Sequence, residues 1–382
     1  MTDPYFDREQ TKAKHFILKR YLQALAFKVL RFSDIAYVDG FSGPWETKTE
    51  DFIDSSFMIA ISVLRDAQTK MQSQIGRRPK VRCFFSENNR RAYAKLAAAI
   101  APFNKPEEDF EIKTYCGEFE SAIPEIETFI GRFFPLIFID PTGWTGYSLS
   151  EVGTLFKRPK CEVLINFMYD FINRAASMND PKTIASLDPI LGGAGWEARL
   201  DSTLPRGRAV ERLFRENLAV AGNFDFVVST KIDRPTADRP HFFIAYGTKS
   251  RDGLKAFREA EYNALKINAR DRADAKERRR QDRSGLSDLF SGLDADIQEI
   301  AIDEIVEEQK AIASKNLVEL LSEFGPMSFV QVWEALLQAH MLRVTNVKDI
   351  CVDLAKISKI EQTWIGSARK PRDLDIIKLK FN

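Results

Sequence analysis

Between about residue 35 and residue 175, five apolar runs alternate with amphipathic segments, and no other feature constrains the fold as tightly. The runs are SDIAYVDG, KVRCFFSE, DFEIKTYC, PLIFID and CEVLINF, and segments such as SSFMIAISVLRDAQTKM and RRAYAKLAAAIAPF carry helical periodicity between them. A strand that is apolar on both sides must be covered on both faces, which is the condition of a parallel sheet wrapped by helices. Further on, FDFVVSTKI and HFFIAYGTKS flank a short polar link containing Pro and read as a hairpin at one edge of that sheet. The expected class is therefore α/β: a Rossmann-like, doubly wound sheet ending in an antiparallel hairpin. A helix over about Lys12 to Leu30 precedes it, with Leu18, Tyr21, Leu22, Leu25 and Val29 on one face.

Bulk properties narrow the partners. The chain has 382 residues, 44% of them hydrophobic, enough for two or three packed domains. Its 56 basic and 55 acidic residues leave a net charge of +1, which excludes a generally basic nucleic-acid binder and leaves room only for local patches. Cys83, Cys116, Cys161 and Cys351 are scattered in a way that fits neither a zinc site nor a disulfide framework, and His15, His241 and His340 are far apart. No metal site is expected. The charged amino-terminal stretch lacks the apolar core of a secretion signal, and no run reaches 18 apolar residues. A soluble, cytoplasmic protein without a membrane span is expected.

The character of the chain changes after about residue 266. Residues 1–266 read as the sheet domain, 267–304 as a charged linker or helix, and 305–382 as a separate, mainly helical domain. NARDRADAKERRRQDRSG reads as a solvated helix or linker, or as a nucleic-acid-facing arm carrying Arg278, Arg279, Arg280 and Arg283. The last domain resembles a winged helix-turn-helix. A helix ends at Gly325, Ser328 caps a second, Thr345–Lys348 lead into a third, and WIGSARKPRDLDIIKLK supplies a wing with Arg369, Lys370 and Arg372 near its tip. Such modules contact either nucleic acid or protein.

The chemistry is expected at the carboxyl ends of the parallel strands, where a doubly wound sheet binds its ligand. Asp39–Gly40–Phe41–Ser42–Gly43–Pro44–Trp45 closes the first strand; its glycines allow close backbone approach, and Asp39 is an acceptor for a cationic amino group. The absence of GxGxxG argues against an NAD or nucleotide-sugar enzyme. Trp45 stands where many adenosyl-cofactor proteins place a third glycine. Glu87 ends the second strand, where a carboxylate accepts from two vicinal ribose hydroxyls. Gly117 and Glu118 end the third, a small-acid pair of the kind that faces an adenine amino group. Asp140–Pro141–Thr142–Gly143–Trp144 ends the fourth, with Asp140 either facing a target or capping the next helix, and Trp144 placed to stack on a planar substrate. Asn166 and Tyr169 follow the fifth strand as further substrate contacts.

Taken together, DGFSGPW, Asp54–Ser55–Ser56–Phe57, Glu87 and IDPTGW resemble the three-Cys-motif partner protein family over roughly residues 10–265. That resemblance implies a class I methyltransferase-like domain, S-adenosylmethionine as cofactor, and a phage- or mobile-element-associated setting. It also implies a partner protein of radical-SAM type that carries the three-cysteine motif and the iron–sulfur chemistry. Asp39, Gly40, Phe41, Gly43, Glu87, Gly117 and Glu118 would hold the cofactor, Asp140 and Trp144 the target, and Pro141, Asn166 and Tyr169 more of the substrate, DNA or RNA. Thr-Gly-Trp departs from the Pro-aromatic pair that follows the acid in amino-methyltransferases. This favours, as the second expectation, a non-catalytic accessory partner whose winged helix touches protein or DNA.

Overall fold

The computed structural model describes all residues except 1–4, 6–7, 45–46, 48, 176, 179, 235–236, 285–292, 365–368 and 381–382; the side chains of 171, 237–239, 278–284 and 293–301 are also left undescribed. The chain divides into two compact units, Met1–Ser250 and Arg251–Asn382.

In the first unit each expected apolar run is a strand. Helix α1 (Glu9–Val29) leads into β1 (Ile35–Asp39), followed by α2 (Ser56–Ile75), β2 (Val81–Glu87), α3 (Arg90–Ile100), β3 (Phe110–Cys116), α4 (Ile123–Ile130) and β4 (Phe134–Ile139). Then come α5 (Leu149–Phe156), β5 (Glu162–Phe167), α6 (Tyr169–Ala175), the short α7 (Pro181–Ala185) and α8 (Asp188–Leu191), α9 (Arg206–Gly222), β6 (Phe226–Arg234) and β7 (Ala237–Thr248). The seven strands form one sheet in the order β3-β2-β1-β4-β5-β7-β6. Neighbours from β3 to β5 run parallel, while β7 is antiparallel to both β5 and β6. The hairpin thus closes one edge with its second strand innermost. A reversed seventh strand between the fifth and the sixth is the arrangement of the class I methyltransferase-like fold, and the order of strands turns back on itself between β1 and β4.

Period-two alternation sorts the sheet's side chains onto two faces. On one, Val38, Phe84, Ile137, Val163 and Phe243 join a single apolar cluster with α5 and α9 residues. Tyr37, Asp39, Phe138, Asp140, Glu162 and Asn166 belong to the other face by register. Helix α1 anchors to this second face through two polar residues seven positions apart, a spacing of about two helical turns. Lys14 reaches Asp140 at 2.6 Å, and Tyr21 donates to the buried Glu162, which also accepts from Thr248 Oγ1 at 2.9 Å. Burial pushes the Glu162 carboxyl above its usual range, against the hydrogen bonds from Tyr21 and Thr248. Leu18, Tyr21, Leu22 and Leu25 are buried as their periodicity predicts, while Val29 is only partly covered.

The second unit begins inside the segment expected to close the first. Helix α10 (Arg251–Ser284) runs unbroken past residue 266, followed by α11 (Leu293–Phe324). One ion pair joins the two helices here: Lys266 of α10 pairs with Asp303 of α11 at 2.8 Å, which raises the lysine's pKa. The charged stretch is therefore helix through Ser284. Arg278, Arg279, Arg280 and Arg283 lie outside the described side chains. The unit ends in β8 (Met327–Ser328), α12 (Phe329–Ala339), α13 (Val344–Lys356) and β9 (Ile376–Ile377), with β8 and β9 antiparallel and a further bridge between Ile360 and Leu379. Gly325 takes φ +76, the left-handed conformation that stops α11, and Gln331 Oε1 accepts from Ser328 N at 2.9 Å where α12 begins. No helix among the described residues is long and apolar enough to cross a membrane.

Candidate functional site

Parallel pairing brings Asp39, Glu87, Gly117–Glu118 and Asp140 to the same edge of the sheet, on or just beyond the last residues of β1, β2, β3 and β4. The ladder continues past the strands: Gly40 N donates to Phe138 O at 3.0 Å, Ser42 N to Ser86 O at 2.9 Å, and Gly117 N to Glu87 O at 3.0 Å. These bonds fix the turns rather than leaving them as loose loops.

Asp39 is completely buried. Its Oδ1 accepts from Phe41 N at 3.0 Å and its Oδ2 from Ser56 Oγ at 2.7 Å, while Ser42 Oγ donates to the Asp39 carbonyl at 2.9 Å. The carboxylate therefore organises the turn from within and ties it to the start of α2. Burial raises its pKa from the ordinary 3.8 to about 6, against the lowering effect of the Ser56 and Phe41 hydrogen bonds, with nearby Asp140 adding to the rise. The folded state thus holds its proton more tightly than the unfolded chain does. Stability from this group is fully present below about pH 4, falls as pH rises to about 6, and is lost above it. Asp39→Asn removes that slope. Chemical denaturation at pH 4 and pH 7 is expected to show the variant gaining on wild type by up to about 3 kcal/mol across the interval.

Gly40 has a different reason for being glycine than close approach to a ligand: a Cβ there would lie 2.9 Å from the Phe119 ring. Phe119 is buried, and the Phe41 ring packs 6.0 Å from it, so Phe41 is part of the turn's packing. A Cβ on Gly117 would likewise meet the Tyr115 ring at 2.6 Å. Gly43 is half-buried in the turn, and Trp45 lies outside the described residues. Glu87 is buried, with Oε1 accepting from Asn89 N at 2.7 Å, while Glu118 is exposed.

Asp140 does not cap the following helix; Ser148 does, accepting from Ser150 N. Instead the Asp140 carboxylate is divided between two side chains. Lys14 Nζ holds Oδ2 at 2.6 Å, and Asn166 Nδ2 donates to Oδ1 at 2.7 Å. Asn166 is buried, and its Oδ1 finds no hydrogen-bond partner among the described residues. An unmet buried acceptor costs about 1–3 kcal/mol. Pro141 is buried beside this group.

Trp144 and Tyr169 are more constrained than their expected substrate roles imply. The Trp144 indole donates to Ser186 Oγ at 2.9 Å, and its ring packs on the apolar cluster while lining a cavity of about 340 Å³ with Glu120, Tyr147 and Ser148. Tyr169 turns towards α9: its hydroxyl occupies the space a Cβ on Gly207 would need, and its ring meets Phe243 edge-on at 5.2 Å. Just beyond, Asp170 accepts from Arg234 Nε at 2.5 Å and faces His241 Nδ1 at 3.4 Å, with burial lowering the histidine's pKa.

Sequence reasoning gave no site role to Lys14, Asp170, Arg234 or His241, and quoted Ser56 only within the Asp54–Phe57 run that carries the family resemblance. Lys14 had a signal, since it shares the helical face of Tyr21 and interrupts an apolar stripe. The Asp170–Arg234–His241 group had none, because its members lie 64 and 71 positions apart. Arg369, Lys370 and Arg372 are exposed, but Lys370 is paired with Asp349 of α13. Among the described residues no group of three His, Cys, Asp or Glu side chains is placed to hold a metal ion.

No protein family and no curated protein matches the sequence. Among solved structures, the chain is similar to the O-methyltransferase from Bacillus cereus in complex with SAH. That similarity has a TM-score of 0.32 and 15% identity, and covers 60% of this chain and 80% of that one.

Proposed function

We propose that the first unit binds S-adenosylmethionine at the carboxyl ends of β1 to β3 and serves methyl transfer to a base amine of DNA or RNA. The observation that carries this reading is the turn-back of strand order between β1 and β4, with Asp39 and Asp140 closing the two strands that flank it. The side chains fit the cofactor in their chemistry. Glu87 presents a carboxylate at the end of β2 for the ribose hydroxyls, Glu118 lies one strand further for the adenine, and Asp39 holds the 40–44 turn in shape. The bound cofactor supplies an activated methyl group. The protein's part is alignment: Asp140, fixed by Lys14 and Asn166, and Trp144, fixed by Ser186, leave the target little freedom to misalign.

Specific contacts favour a second reading, an accessory partner of a three-Cys-motif, radical-SAM-like protein. The carboxylate expected to face the target is already ion-paired. In the second unit, which we read as winged-helix-like, the outer face of α13 carries Lys348, Asp349, Asp353 and Lys356, a balanced set that suits a protein surface better than a phosphate backbone. Methyl-labelled S-adenosylmethionine, incubated with pools of single-stranded DNA and RNA, separates the readings. Label in the nucleic acid that disappears with Asp140→Ala supports transfer; no label with wild type, at cofactor saturation, leaves the accessory reading.

A further inference from the structure

We propose that the cavity beside Trp144 is a binding site for a small alkylammonium ion, held by the indole ring and the carboxylates of Glu120 and Glu151. This goes beyond the methyl-transfer reading and does not depend on it, since an uncharged base stacked on Trp144 leaves both carboxylates without a role. The cavity holds about 340 Å³, at the small end of ligand sites, and lies between the segment that follows β3 and the segment that follows β4. Glu120 comes from the first, Trp144 and Tyr147 from the second, and Glu151 from the start of α5. No lysine, arginine or histidine among the described residues lines it. Neither carboxylate is ion-paired or hydrogen-bonded to a described residue. The positive end of α5 offsets roughly half a charge at Glu151, so the two acids still leave the cavity negative.

The aromatic wall is set before a ligand arrives. Trp144 Nε1 donates to Ser186 Oγ at 2.9 Å, and Ser186 Oγ donates in turn to Thr183 O at 2.6 Å. An indole ring held in this way attracts a cation to its face. Tyr147 is an independent sign of a ligand: it lines the cavity, is only 3% exposed, and its hydroxyl has no partner among the described residues. Burial holds that phenol above its usual pKa, so at neutral pH it is uncharged and its oxygen accepts an N–H. The site is open to a ligand from solution, because Glu151 is exposed and Glu120 and Trp144 are partly exposed. Two carboxylates, a hydroxyl oxygen and an aromatic face all attract a cation that carries N–H donors. An anion would meet the two carboxylates, and an alcohol of the same size gains nothing from their charge.

The test titrates the full chain calorimetrically at pH 7.5 and low ionic strength with n-butylammonium, n-butanol and butyrate. The ammonium is expected to bind about tenfold or more tightly than the alcohol, and the carboxylate not at all. In the double variant Glu120→Gln with Glu151→Gln that ratio falls to near one. These are isosteric changes on accessible side chains, so its melting temperature stays close to that of wild type. Trp144→Leu lowers the ammonium affinity by roughly two- to thirtyfold through loss of the ring face. Should the leucine variant not fold, the glutamine variant decides the matter alone. No ammonium binding to wild type, equal binding of n-butanol, or binding of butyrate overturns the inference. So does an ammonium affinity unchanged in either folded variant, because the cation would then sit elsewhere on the surface.

Discussion

Glu87→Ala is expected to weaken S-adenosylmethionine binding by about 10- to 100-fold, with a much smaller loss of stability. The carboxylate sits at the end of β2, buried, with one oxygen on Asn89 N. With one oxygen already engaged, the carboxylate accepts from a ribose hydroxyl, and one hydrogen bond to a charged acceptor contributes about 1.5–3 kcal/mol, which is about the 10- to 100-fold expected. The hydrogen bond from Asn89 N that the folded protein loses in the variant is worth about 1 kcal/mol. Isothermal titration of wild type and variant, paired with thermal melts, checks both halves. Unchanged affinity would mean that the cofactor is held elsewhere or not held at all.

Lys14→Met should destabilise the first unit by about 2–4 kcal/mol, and Asp140→Asn in the same chain should restore most of it. The Lys14 and Asp140 side chains are only 12% and 14% exposed, so removing the ammonium strands a largely desolvated carboxylate. Methionine keeps the stem's packing, which isolates the charge. Neutralising Asp140 then removes the stranded charge, and a double-mutant cycle from denaturant melts reads the coupling. Additive losses would show that the two side chains act independently and that α1 is anchored by its apolar face alone.

These two residues also differ in how far the sequence foretold them. Glu87 was legible because it follows an apolar strand in a βα unit, a local pattern with a local meaning. Lys14 was legible only as a polar residue on the buried face of a helix; that its partner is Asp140, 126 positions away, depends on how α1 lies across the sheet. Gly40 and Gly117 stand out in the sequence as turn glycines at strand ends, and the structure gives each a packing reason. Each makes room for an aromatic ring, Phe119 and Tyr115, and neither ring's direction is encoded in the turn itself. The boundary expected after residue 266 followed a change in composition, whereas α10 starts at Arg251 and runs through it, because helical hydrogen bonding is indifferent to the change from mixed to charged side chains.

By itself the sequence determined the parallel sheet, the reversed hairpin at its edge, and the placing of acids at the strand ends. Apolar periodicity and turn chemistry act over a few residues and survive any tertiary arrangement. Only the tertiary structure decided what those acids do. Asp39 became an internal brace with a raised pKa, Asp140 became half of an ion pair, and Asn166, named from its position alone, became a buried donor to Asp140. A carboxylate's role depends on which donors reach it and how much water is left around it. For Asp39 those donors come from within 17 positions, but for Asp140 one comes from Lys14, 126 positions away, and that approach is fixed only when α1 packs on the sheet.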